Sequence, residues 1–82
     1  MKTELFKKAI NLRKRVRFLY GLKDIEIEPY YVTTRNDGKK VIFGKLKYSN
    51  EIRAFDYNKI ANLKVLDYAR FSPIIPILPY FN

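Results

Sequence analysis

The chain of 82 residues has no cysteine, no histidine and no tryptophan, and each absence closes a branch of chemistry. Without cysteine there are no disulfides, no thiolate nucleophile and no thiolate metal site; without histidine the usual general base and the commonest metal ligand are gone. The sequence also lacks a phosphate-cradling glycine-rich loop, a serine nucleophile motif and any metal-ligand spacing. Glu26 and Glu28, at i and i+2, are a close carboxylate pair, but neighbouring basic residues make them a solvated or salt-bridged strand edge. A non-enzymatic protein without cofactor or metal is the expectation. No apolar run approaches 18 residues, and the N-terminal segment is interrupted by Lys7 and Lys8. Neither a membrane span nor a secretory leader is read, so a cytoplasmic location is expected.

What is present points to one small folded unit. Hydrophobic residues make up 48% of the chain and the aromatics, all Phe and Tyr, 16%, enough to build a core in a single domain. The formal net charge is +9 and it is unevenly placed: residues 1–23 carry eight Lys and Arg against one Glu (8 − 1 = +7), and the remainder carries nine against seven (9 − 7 = +2). A field concentrated at one end raises the local concentration of polyanions without specifying sequence, which puts single-stranded DNA or RNA first among expected partners.

Leu5, Phe6, Ala9, Ile10 and Leu12 recur at spacings of three and four and predict a helix over about 3–14, with Thr3 as N-cap and Arg13, Lys14 and Arg15 at its C-terminal end. That basic run reads either as a solvated helix terminus or, with Arg17, as a phosphate-contacting patch. Val16, Phe18 and Tyr20 alternate as a first strand, and Gly21 opens a turn into a second strand starting at Ile25. The inward phase then slips: Ile25 and Ile27 have one parity, Tyr30 and Val32 the other. One extra residue in a bulge at Pro29 restores a common face. Asp37-Gly38 closes the next hairpin, a third strand covers 39–48 with Gly44 at a bend or close approach, and strands over 51–57 and 63–66 follow. The expected architecture is mainly β (α+β): a helix followed, over about 16–67, by a five-stranded antiparallel SH3-like or Sm-like barrel.

Residues 71–82 differ in kind. Three prolines forbid helix, yet Ile74, Ile75, Ile77, Leu78, Tyr80 and Phe81 are large and apolar, so an extended interaction tail is expected, folding back on its own domain or docking on a second subunit. The chain thus divides into a domain over 1–70 and a tail over 71–82. The alternative functional reading is a protein-interaction or oligomerisation module that regulates a partner chain through this tail.

Val16-Arg17-Phe18-Leu19-Tyr20, Ile27-Glu28-Pro29-Tyr30, Asp37-Gly38, Gly44, Ile52-Arg53-Ala54-Phe55, Lys59-Ile60 and Val65-Leu66-Asp67 together resemble the WYL domain family over roughly residues 5–68. The Trp-Tyr-Leu triplet of the family's name falls on Lys40, Val41 and Ile42, which keep only the aliphatic third place; Asp56 stands where the family carries a basic residue, and Lys59 replaces a later Arg. The resemblance implies the barrel and a regulatory or accessory module of transcription control, CRISPR or phage defence, sensing ligands or binding nucleic acid. It also implies that Arg53, with Lys59 and Tyr30, lines a positive groove for a phosphate or nucleobase; Lys40, standing in place of an aromatic residue, is expected to serve only as a phosphate contact. The competing reading of Arg53 is a surface residue pairing with Glu28 or Glu51. With no DNA-reading domain read ahead of it, the chain is expected to bind nucleic acid or a nucleotide itself, to act through a partner, or to be part of something longer.

Overall fold

A computed structural model describes residues 2–70, of which 68–70 are described by backbone alone. The apolar tail expected over 71–82, with Ile74, Ile75, Ile77, Leu78, Tyr80 and Phe81, lies outside the described residues. One helix, α1 (Lys2–Leu12), precedes five antiparallel strands: β1 (Lys14–Tyr20), β2 (Lys23–Thr34), β3 (Lys40–Leu46), β4 (Ile52–Asp56) and β5 (Ile60–Arg70). A single 3-10 turn, Tyr57–Lys59, joins β4 to β5.

The helix ends two residues earlier than its apolar spacing predicts. Arg13 adopts φ 57°, the left-handed conformation that stops a helix, and its N–H donates to the Ile10 carbonyl at 3.2 Å. Lys14 and Arg15 therefore open β1 instead of closing the helix. Thr3, expected to cap, lies inside α1, and its hydroxyl sits 3.4 Å from that of Tyr57. Phe6 and Ala9 are the buried part of the stripe, while Leu5 and Leu12 stay partly exposed.

The sheet order is β4-β3-β2-β1-β5, so β4 and β5 are opposite edges that, among the described residues, do not pair with each other. A flat sheet would hold them about 19 Å apart, four strand spacings of about 4.8 Å. Yet the path from Asp56 to Ile60 crosses four peptide units, at most about 14 Å even when fully extended. The sheet must curl until its edges approach, and one hydrogen bond marks the approach: the Asp56 N–H donates to the Tyr20 hydroxyl at 3.1 Å, from β4 to a side chain of β1.

Two local devices permit the curl. The β2–β3 register slips between Pro29 and Tyr31, leaving Tyr30 as the extra residue, which is the predicted bulge. Ile27 and Val32 thereby both meet the core. Tyr30 does not join them as expected: being the bulged residue, it is buried outside the core cluster, with its hydroxyl 3.4 Å from Glu28. Gly44 faces Pro29 and Arg53, and a Cβ there would lie 2.7 Å from the Glu28 carbonyl oxygen, so its lack of a side chain lets β2 press against β3. A second irregularity lies in β5, where Arg17 pairs with Lys64 but Leu19 with Ala61; Asn62, at φ 55°, lies in that interval.

Inside the curl, Phe6, Ala9, Val16, Phe18, Ile27, Ile42, Phe55, Tyr57 and Ile60 form one cluster. Phe18 meets Phe55 edge to face at 5.4 Å between centroids, and Tyr20, packed against the cluster, meets Phe55 in the same way at 5.0 Å. Such pairs add about 0.5–1.5 kcal/mol each beyond their buried area.

Candidate functional site

Arg53 sits on β4 opposite Gly44, and Phe55 opposite Ile42, so strand alternation turns both toward the concave side. Phe55 is fully buried, whereas Arg53, on the edge strand, reaches solvent with its Cζ 5.4 Å from the centre of the Phe55 ring. The turn at the end of β4 supplies Lys59, and the β1–β2 hairpin supplies Lys23 from the other wall. These residues converge on an open cleft of about 600 Å³ lined by Tyr20, Gly21, Leu22, Lys23, Ile25, Arg53, Phe55 and Lys59. Three cations and no carboxylate line it.

Arg53 and Lys59 are only loosely neutralised. The Arg53 Nε is 3.9 Å from Glu51 and the Lys59 Nζ 4.0 Å from Asp56, and the two side chains are 46% and 65% exposed. Glu28, the other expected partner of Arg53, is engaged elsewhere. Lys23 has no carboxylate partner among the described residues. Exposed ion pairs of this length contribute about 0–1 kcal/mol, so an incoming anion displaces little.

The remaining candidates are scattered. Arg15 is bound to Glu28 at 3.1 Å, on β1 and β2 beside the Val16–Ile27 pair. Arg17 grips Asp24, its Nε 2.9 and 3.1 Å from the two carboxylate oxygens, and that hydrogen bond holds the Asp24 carboxyl below its ordinary value. The basic run is therefore largely spent on cross-strand pairing, and its exposed member without a carboxylate partner among the described residues is Arg13. Lys40 is exposed at the start of β3 opposite Thr34, and Tyr30 is buried against Glu28; neither lines the cleft. The expected grouping of Tyr30 and Lys40 with Arg53 and Lys59 is not formed.

A second cleft, of about 410 Å³, lies among Arg17, Asp24, Ile25, Glu26, Leu46, Lys47, Tyr48 and Ser49. Its charges cancel in pairs, Arg17 with Asp24 and Lys47 with Glu26 at 3.5 Å, so it offers no net field. Among the described residues no group of three or more acidic side chains could hold a metal ion, and no helix is long and apolar enough to cross a membrane.

Sequence reasoning missed Tyr20, Leu22 and Lys23 as cleft residues. The turn after Gly21 is visible in the sequence, but its apposition to Arg53 and Lys59 arises only when the sheet curls. No family model matches the chain, and comparisons with curated proteins and with solved structures found no match.

Proposed function

We propose that this chain is a non-enzymatic regulatory or accessory module of WYL-like type, an incompletely closed SH3-like or Sm-like barrel that binds nucleic acid or a nucleotide-like anion at the cleft between β4 and the β1–β2 hairpin. One observation carries the reading: Lys23, Arg53 and Lys59 surround a cleft whose apolar walls are Tyr20, Leu22 and Ile25 above the buried Phe55, with no carboxylate among the lining residues. Cations beside apolar walls suit a ligand with phosphate at one end and a flat ring at the other. The long-range field of the +9 chain adds capture rate without adding contacts.

Three phosphate contacts on a single strand give a slope of log affinity against log salt of about −2, or roughly a 20-fold loss between 50 and 200 mM salt. Fluorescence anisotropy with labelled single-stranded DNA and RNA measures this directly. Arg53→Ala and Lys59→Ala are each expected to make the slope shallower by about 0.7. Absent binding at low ionic strength, or binding indifferent to salt, refutes the proposal.

A further inference from the structure

The tip of the β1–β2 hairpin carries a residue that the fold does not use. Between Tyr20 and Lys23, paired across the hairpin, the loop is two residues long, Gly21 and Leu22, with Gly21 at φ 64° and Leu22 not in the left-handed region. A loop of this geometry needs a glycine first and asks nothing of its second residue. Leu22 is nevertheless a large apolar side chain with 103% relative exposure, the most exposed large hydrophobic residue of the described chain. A lone exposed leucine ordinarily means nothing. This one borders the cleft beside Tyr20 and Ile25, next in sequence to Lys23 and across from Arg53 and Lys59.

The hairpin root is also fixed. The Tyr20 hydroxyl accepts the Asp56 N–H, and its ring stands edge-on to Phe55 at 88°. The backbone that carries Leu22 is thus set at the mouth of the cleft, and its side chain is apolar where Lys23, Arg53 and Lys59 are charged. A polyanion recognised by phosphate alone gains nothing from it. A nucleobase whose face is bare does gain, because covering that face removes apolar area on both sides from water. In a duplex both faces of each base are already stacked.

Resting on the function proposed above, we infer that Leu22 is a specificity-determining contact that packs on an unstacked nucleobase, making the preferred ligand a single strand with accessible bases. The test uses the full chain and three probes of equal phosphate count: a 12-nucleotide oligothymidine, the same backbone carrying abasic sites, and a duplex of matching charge. The protein is expected to bind the oligothymidine about five- to tenfold more tightly than the other two. Leu22→Ser, at a position that packs on nothing, keeps the melting temperature and the salt slope while losing that preference; Leu22→Phe keeps it. Arg53→Ala weakens all three probes alike.

Equal binding of all three probes by the unaltered protein overturns the inference. So does an unchanged preference in Leu22→Ser while Arg53→Ala still weakens binding, a result that leaves the proposed function standing. If no probe binds at low salt, the proposed function fails and the inference falls with it.

Discussion

Gly44→Ala isolates the contact on which the curl depends. The added Cβ would lie 2.7 Å from the Glu28 carbonyl oxygen and 2.7 Å from Ile27 Cδ1, with the Glu28 carbonyl carbon at 3.3 Å. Ordinary contact begins at 3.4 Å, so the shortfall is 0.7 Å (3.4 − 2.7). Ile27 is wholly buried in the core cluster and cannot swing aside freely; the carbonyl belongs to the strand and cannot move without it. Relief therefore requires β2 to separate from β3 next to the bulge. Overpacking of this kind costs about 1–3 kcal/mol. Alanine recovers about 0.4–1 kcal/mol by restricting the unfolded chain. At the midpoints of these ranges the balance is a loss of about 1.3 kcal/mol, which for a domain of this size lowers the melting temperature by about 5–10 °C. Urea denaturation and thermal melting followed by circular dichroism measure both quantities. Because Gly44 also faces Arg53, anion affinity should fall with stability. An alanine variant as stable as the parent would show that the Pro29–Gly44 approach is not what shapes the sheet.

Arg13→Gly is expected to stabilise the protein by about 0.5–1 kcal/mol, since glycine takes the left-handed conformation at a helix end without a Cβ penalty. Arg13→Ala is the control: it removes the charge and keeps the strain, so a glycine variant no more stable than the alanine variant refutes the account. Acid should destabilise the fold in a defined window. Asp24, held down first by its hydrogen bond from Arg17, Asp37 by the Lys39 N–H and Asp67 by Lys14, all lie below the ordinary 3.8 in the folded state. A lowered folded value means stability that is present above 3.8 and lost as pH falls through the folded values. With no histidine in the chain, no step is expected between pH 5 and 7. Urea midpoints at pH 7, 5, 4, 3 and 2 test both halves, and a midpoint that rises on acidification contradicts them.

What was legible in the sequence was local. Alternation of Val16, Phe18 and Tyr20 with less buried neighbours marked a half-buried strand; Gly21 and Gly38 marked turns, and both have positive φ. The parity slip around Pro29 announced a bulge because a period of two tolerates no silent insertion. The helix end was misjudged for the opposite reason. Lys14 and Arg15 suit a helix terminus by charge, but as the start of β1 they bring Arg15 to Glu28, 13 residues away, and Val16 into the core opposite Ile27, and this burial together with the pairing outweighs about 0.3–1 kcal/mol of dipole interaction. Alternation predicts only residues 63–66 for the fifth strand, because the irregularity around Asn62 breaks the pattern; the strand runs Ile60–Arg70. The site was half legible for the same reason. Arg53 and Lys59 lie close in sequence, while Lys23, 30 residues before Arg53, meets them only through the curl.

That curl also explains why a cleft exists at this point. Had β4 and β5 come close enough to exchange backbone hydrogen bonds, the Asp56 N–H would have met a strand. It meets the Tyr20 hydroxyl of β1 instead, so at this point a side chain stands where a backbone partner would. The cleft opens above the buried Phe55, and the residues around it come from the ends of elements: the β4 edge, the 3-10 turn and the hairpin tip. Edge strands left unpaired invite association with other chains. Here β4 is only five residues long and carries the Arg53 charge at its second position, which discourages edge-to-edge pairing while aiming that charge at the opening. Incomplete closure, a liability for a small sheet, is thus the feature that gives the proposed ligand a place to bind.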